Sequence, residues 1–540
     1  MLEGHGARAA PADHRAGNLA PTAKPDSLPA VAGFADTIAD AYAVQGAALD
    51  LGRGVREGKL APAAVVQVPL RMMNRHGLVA GATGTGKTIT LQTMAEQLSD
   101  AGVAVFAADV KGDVSGIAVA GEPAGPAEKR MAELGLSFEP RGFPVEYLSL
   151  GGIGPGVPVR ATVSDFGPQL LAKVLEANET QEQSMQLVFH YADQKGLPLL
   201  DLSDLRALLT FLESDEGESE LKGIGGLASS TVGVLLRALI GLKTGGGNEF
   251  FGEPQFEISE LLRTAPDGRG MISCLELPAV QDKPRLFSTV LMWLLAELFE
   301  ELPEAGDLDK PKLVFFFDEA HLLFADATDA FMESVVQTVR LIRSKGVGVF
   351  FVTQVPDDIP SEVLGQLGNR VQHALRAFTP DDAKALKAAA STYPTSDFYD
   401  VDELLTSMGI GEAAVTLLSE KGIPTPVVHT RLRAPASRLG PADDVDAAAS
   451  ASPLYAKYGT RAEAESAREK LAGRLDGAAP PKGSTPADDA ERISKRRRKE
   501  AARAPAGGTD ALGDFLRSRE GRALGRQVAR GVFGMLRKRR

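Results

Sequence analysis

The chain has 540 residues, 44% of them hydrophobic and 24% charged, which is the balance of a globular protein with a large buried core. One cysteine, Cys274, and seven histidines without ligand spacing exclude a disulfide framework and a multi-cysteine metal centre, and they point to a reducing compartment, the cytoplasm. The net charge of −12 is uneven, because residues 491–540 carry +11 and leave −23 on the first 490.

Residues 1–30, rich in Ala, Pro and Gly, read as a disordered segment without the apolar stretch of a secretory signal. An amphipathic helix is predicted over 33–51, where Phe34, Ile38 and Tyr42 lie four apart, and a strand over 63–70. The apolar "GLVA" then runs into "GATGTGKT" (81–88) and a helix from about Lys87, with Leu91, Met94, Ala95 and Leu98 spaced three and four apart. Continuous apolar runs follow at "VAVFAAD", "VEYLSL", "MISCLEL", "KLVFFFD" and "VGVFFVTQ". Helical patterns separate most of them, so the expected architecture is an α/β doubly wound, mainly parallel sheet. Residues 163–245 break the alternation and read as a helical insertion. The apolar stretch 286–299 is 14 residues long, short of the roughly 20 that a bilayer span needs, and reads as a core helix.

Beyond 435 the composition shifts to Ala, Pro, Asp and Gly, giving an expected low-complexity linker over 436–510 with one helix at 460–475. The last segment, 511–540, reads as a basic amphipathic helix. It has two readings: a tail that docks on the acidic body, or an anchor for nucleic acid or another anionic surface.

Two motifs carry chemistry. In "GATGTGKT" the glycines let the backbone N–H groups of Gly81, Ala82, Thr83, Gly84, Thr85 and Gly86 wrap an anion. Lys87 is placed to reach β- and γ-phosphates of ATP, and the Thr88 hydroxyl to ligate Mg²⁺. In "LVFFFDEAH" a buried strand ends in Asp318, a candidate for the Mg²⁺ shell, and Glu319, a candidate base for water. The letters DEAH do not make a DEAH-box helicase, since the arginine-rich segment of a second motor domain is missing. Gln354, at the end of "VGVFFVTQ", is a candidate for sensing the γ-phosphate or orienting water. Arg340 and Arg343 could reach a neighbouring subunit's site or merely complement a helix end.

Taken together, "NRHGLVAGATGTGKT", "FAADVKGD", "KLVFFFDEAHLLF" and "RLIRSKGVGVFFVTQ" resemble the HerA-like branch of the HerA/FtsK superfamily of P-loop ATPases, over about Gly33 to Arg433. The resemblance implies a RecA-like ATPase domain over 31–435, a homo-hexameric ring and ATP-driven movement along double-stranded DNA. It carries over Lys87 and Thr88 as ligands of ATP and Mg²⁺, Asp318 in the Mg²⁺ shell, Glu319 as catalytic base, Gln354 as sensor and Arg343 as a trans-acting arginine. Asp109 falls at the family's acidic position after the second strand. Only 80 residues precede the phosphate loop, too few for the β-barrel of HerA proper, so the resemblance does not reach a nuclease partner. A protein-remodelling or secretion-type ATPase is the alternative function, which the acidic body favours.

Overall fold

A computed structural model describes residues 31–324, 329–462 and 464–477. The expected disordered segment 1–30 and the basic helix 511–540 lie outside the described residues. The chain divides into two units, Met1–Leu471 and Ala472–Arg540; of the second, only the end of the helix Ala467–Gly477 is described.

The first unit is built on one twelve-stranded sheet. Its strands are β1 (Ala48–Arg56), β2 (Lys59–Pro69), β3 (Gly77–Ala80), β4 (Ala104–Asp109), β5 (Val145–Leu150), β6 (Val157–Val159), β7 (Ile272–Glu276), β8 (Leu313–Phe317), β9 (Val347–Thr353), β10 (Asn369–His373), β11 (Glu412–Thr416) and β12 (Val428–Leu432). Across the sheet they run β2-β1-β12-β11-β10-β3-β9-β8-β4-β7-β5-β6. From β10 to β6 every pairing is parallel, and β11, β12, β1 and β2 extend the sheet antiparallel. This is a mostly parallel α/β core with an antiparallel wing.

The three phenylalanines of β8 show why the parallel strands are continuously apolar. Phe316 shares a core with Leu91, Met94 and Leu98 of the helix Lys87–Asp100 and meets Phe350 with ring centroids 5.4 Å apart. Phe315 and Phe317 point to the opposite face, against Phe106 and Phe351 at 4.8 and 5.7 Å. All three are fully buried, and such burial stabilises by about 1.5–3 kcal/mol per side chain.

Two expectations are corrected. The helix expected over 33–51 stops at Ala41, and Ala48–Arg56 is β1 instead. β1 forms an antiparallel hairpin with β2, from Ala48 opposite Pro69 to Arg56 opposite Lys59, and its other edge pairs with β12, nearly 400 residues on, with Gly52 opposite Leu432. Residues 436–471 are packed chain rather than linker. The Glu96 carboxylate accepts the N–H groups of Ala436 and Ser437, Arg438 N donates to Val119 O, and helices span Val445–Ser450 and Pro453–Tyr458. Small residues there conceal a backbone whose hydrogen bonds are tertiary. Between 163 and 242 the described elements are all helices, and no described helix is long and apolar enough to cross a membrane.

Two buried histidines brace the central strands. His76 Nδ1 accepts the Val349 N–H at 3.0 Å, and His373 Nε2 lies 2.9 Å from Thr90 Oγ1. Burial pushes both down to about 4, so both are neutral at pH 7. An unfolded histidine takes up its proton near pH 6.5, so the unfolded chain binds more protons between these values. Stability is therefore full above about pH 6.5 and is lost as pH falls through 4, on the order of 3 kcal/mol per histidine. His373→Gln should be less stable than the parent in urea at pH 7, and the gap should narrow at about pH 4.5. A gap independent of pH would mean that His373 is not held neutral.

Candidate active site

The phosphate loop joins β3 to the helix Lys87–Asp100, and its conformation needs its glycines. Gly81 has φ 153°, and a Cβ there would lie 2.4 Å from the His373 Cβ. Gly86, with φ 115°, turns the chain into the helix. The loop is anchored from behind. Gly81 N donates to Thr353 O and Gln354 O at 3.2 and 3.1 Å, Ala82 N to Ala374 O at 2.9 Å, and Gly411 N to Thr85 O at 3.0 Å. Lys87 is 7% exposed, its Nζ donates to Gly81 O at 2.8 Å, and burial lowers its pKa while Glu319 and Asp318 oppose the shift. Thr88 is the second residue of the helix.

β8 does not lie beside β3. β9 runs between them, pairing Ala80 with Thr353 on one side and Phe317 with Phe351 on the other. The carboxyl ends of three adjacent strands thus gather the loop, Asp318–Glu319 and Gln354 at one edge. Thr353 is held by its hydroxyl on Asp358 Oδ2 at 2.6 Å, and Gln354 beside it is exposed.

The two acids differ in environment. Asp318 is 1% exposed, and its Oδ2 has no hydrogen-bond partner among the described residues. Burial, with Glu319 adding repulsion, pushes its carboxyl up to about 7. A fully buried carboxylate oxygen without a donor suits a divalent cation. Glu319 has φ 47°, a left-handed conformation that is rare for a residue with a side chain and concentrated at functional sites. Burial opposes its ionisation, but the Lys111 ammonium, hydrogen-bonded to Oε1, holds its pKa below the usual range.

Lys111, which the sequence reading did not single out, joins the cluster through this bond. It lies in "ADVKGD", where the evident candidate is Asp109. Asp109 is fully buried and spends both oxygens on the backbone: Oδ1 accepts the N–H of Gly112 and Asp113 at 2.7 and 3.2 Å, Oδ2 that of Val114 at 2.8 Å. Burial, opposed by these bonds, pushes its pKa up to about 6. Asp109 thereby shapes the turn that presents Lys111 to Glu319. Lys111→Ala should lower ATP turnover by roughly tenfold or more, the scale of a misplaced general base, while leaving ATP binding. Lys111→Arg should recover part of it. Full turnover in Lys111→Ala would show that the ion pair positions nothing.

Arg343 does not join this cluster. It precedes β9, whose seven residues end at the phosphate loop, so roughly 20 Å of strand separates it from its own loop. Arg340, in the last turn of the helix Asp329–Ile342, lies at that same far edge.

The family described as helicase HerA-like C-terminal matches residues 56–540. Among solved structures, the bacterial conjugative coupling protein TrwBdeltaN70 is 16% identical, with a TM-score of 0.48 over 73% of this chain and 91% of that one. TrwB in complex with ADP and Mg²⁺ is 15% identical, with a TM-score of 0.47 over 73% and 98%. VirB4 of Thermoanaerobacter pseudethanolicus is 15% identical, with a TM-score of 0.45 over 72% and 96%. No curated protein matches the sequence.

Proposed function

The chain belongs to the helicase HerA-like C-terminal family, and from that premise we propose that it is an ATP-hydrolysing motor that works as a homo-hexameric ring on double-stranded DNA. The observation that carries the ATPase reading is the convergence of the phosphate loop, the unpartnered Asp318 oxygen, Glu319 and Gln354 at one sheet edge.

Each residue then has a task. The loop N–H groups and Lys87 cradle the phosphates, while Thr88 and Asp318 hold Mg²⁺, which neutralises charge on the transferring phosphoryl group. Glu319 takes the proton of the attacking water, and Lys111 keeps that carboxylate ionised and oriented. Gln354, exposed between the loop strand and the acid-bearing strand, orients the water or reports the γ-phosphate.

Membership of a helicase-like family supports DNA as the track. The charge of −23 on the first 490 residues supports a second reading, a motor that remodels or exports protein, because duplex phosphates call for basic groups. ATP turnover with and without duplex DNA decides between them. The DNA motor should be stimulated by the duplex, and turnover indifferent to it favours the second reading. A chain without Mg²⁺-dependent ATP turnover would refute both.

A further inference from the structure

The antiparallel wing holds a cleft of about 1110 Å³ that none of the phosphate-loop or acid residues of the candidate active site lines. It opens where β1 leaves β12. Their pairing ends at Gly54 opposite Thr430, and Tyr399 Oη donates to Val55 O at 2.6 Å. Arg56, the last residue of β1, lines the cleft and is 2% exposed. Its guanidinium carbon lies 5.8 and 5.7 Å from the ring centroids of Phe398 and Tyr399. Yet Nε and Nη2 have no acceptor among the described residues, since Glu57 Oε1, at 3.9 Å from Nη2, is too far for a hydrogen bond. The walls are acidic. Glu133 and Glu412 are spent on Arg431, at 2.8 and 3.1 Å, and Glu412 also on His429 at 3.0 Å. Asp397, Asp400 and Glu403 are exposed and make no ion pair among the described residues, and Asp400 Oδ1 caps the helix Val401–Ser407.

Two aromatic faces can hold a buried guanidinium by themselves, and exposed acids on an acidic body can be merely solvated. Neither accounts for guanidinium donors buried without acceptors, which cost free energy until one arrives. The lining narrows what that acceptor belongs to. A phosphate or a nucleic acid would meet the three free carboxylates, and a metal ion would meet Arg56. A small amine would satisfy the acids and leave Arg56 without an acceptor. The volume also exceeds the roughly 300–1,000 Å³ of small-molecule sites. A basic peptide offers both groups that the cleft lacks, cationic side chains and backbone carbonyls. We propose that the cleft binds a basic peptide segment of a partner protein, whose lysine or arginine side chains meet Asp397, Asp400 and Glu403 while a backbone carbonyl accepts from Arg56. Such binding needs no nucleotide, so its test stands apart from the motor reading.

The test uses the full-length protein and a fluorescein-labelled peptide of alternating lysine and alanine, titrated by anisotropy. The same peptide with every lysine acetylated, and spermine as a competitor, are the other probes. Asp397→Asn/Asp400→Asn/Glu403→Gln removes the free acids and keeps a helix cap at position 400. It should weaken the lysine peptide by roughly tenfold, the scale of three exposed ion pairs. Glu213→Gln/Asp215→Asn/Glu218→Gln removes as much charge from exposed acids of the helical insertion and should bind as the parent does. Arg56→Met keeps a stem against the two rings without donors. It should also weaken the peptide, although it deletes a positive charge that repels lysine. The acetylated peptide should not bind, and spermine, which has no carbonyl, should compete weakly. Equal losses in the two triple variants would assign the binding to the charge of the whole body and overturn the proposal. So would a parent that does not bind the lysine peptide, an acetylated peptide that binds as well, or spermine that competes as strongly as unlabelled peptide. Tighter binding by a folded Arg56→Met would overturn it too, and should that variant not fold, the triple variants and spermine decide.

Discussion

Arg343→Ala is expected to cut ATP turnover by roughly 10³- to 10⁵-fold, the range of an arginine that stabilises phosphoryl transfer across an interface. The expectation follows from position. Arg343 stands at the start of β9, and the phosphate loop of the same chain is bonded to the end of β9, so the two cannot meet within one subunit. Lys87→Ala should be equally inactive, because the buried ammonium beside Gly81 and Ala82 is the loop's charge toward phosphate. Mixed rings of the two variants, however, contain some interfaces with an intact loop and an intact Arg343, and these should recover measurable turnover. Failure to recover in rings shown to be mixed would confine Arg343 to its own chain and remove it from the catalytic set.

Glu319→Gln should lower turnover by about 10²- to 10⁴-fold, the contribution of a positioned general base, while ATP remains bound with near-parental affinity. Glutamine keeps the size of the side chain but cannot accept a proton from water. Phosphate affinity resides in the loop and Lys87, on a different strand, and so is spared. The measurements are phosphate release at saturating ATP and titration of a fluorescent ATP analogue. Near-parental phosphate release would show that another group activates the water. Failure to bind nucleotide would show instead that Glu319 holds the site together through its bond to Lys111 and the 110–114 turn.

What the sequence by itself determined is what short-range chemistry can encode. Lys87 and Thr88 follow the glycines directly, so the loop and its ligands are written in eight consecutive residues. β4, β5, β7, β8 and β9 are buried on both faces, and a strand covered on both sides must be apolar at nearly every position, which leaves a continuous run to read. Asp318 and Glu319 end one such run.

Tertiary structure decided the rest. β10, "NRVQH", is five residues of mixed polarity and reveals itself only by pairing with β3 and β11. β1 looks like more helix until β2 and β12 pair with its two edges. Glu96, in the helix that the phosphate loop opens, organises Ala436 and Ser437, so the start of the supposed linker is part of the fold. Lys111 meets Glu319 because β4 and β8 are neighbours in the sheet, a fact that no spacing between residues 111 and 319 expresses. The same topology keeps Arg343 away from the phosphate loop of its own chain: it precedes β9 at one edge, and the loop lies at the other. Local sequence fixes what each strand end carries, but the order and direction of the strands are set by contacts hundreds of residues apart, and these decide which ends meet.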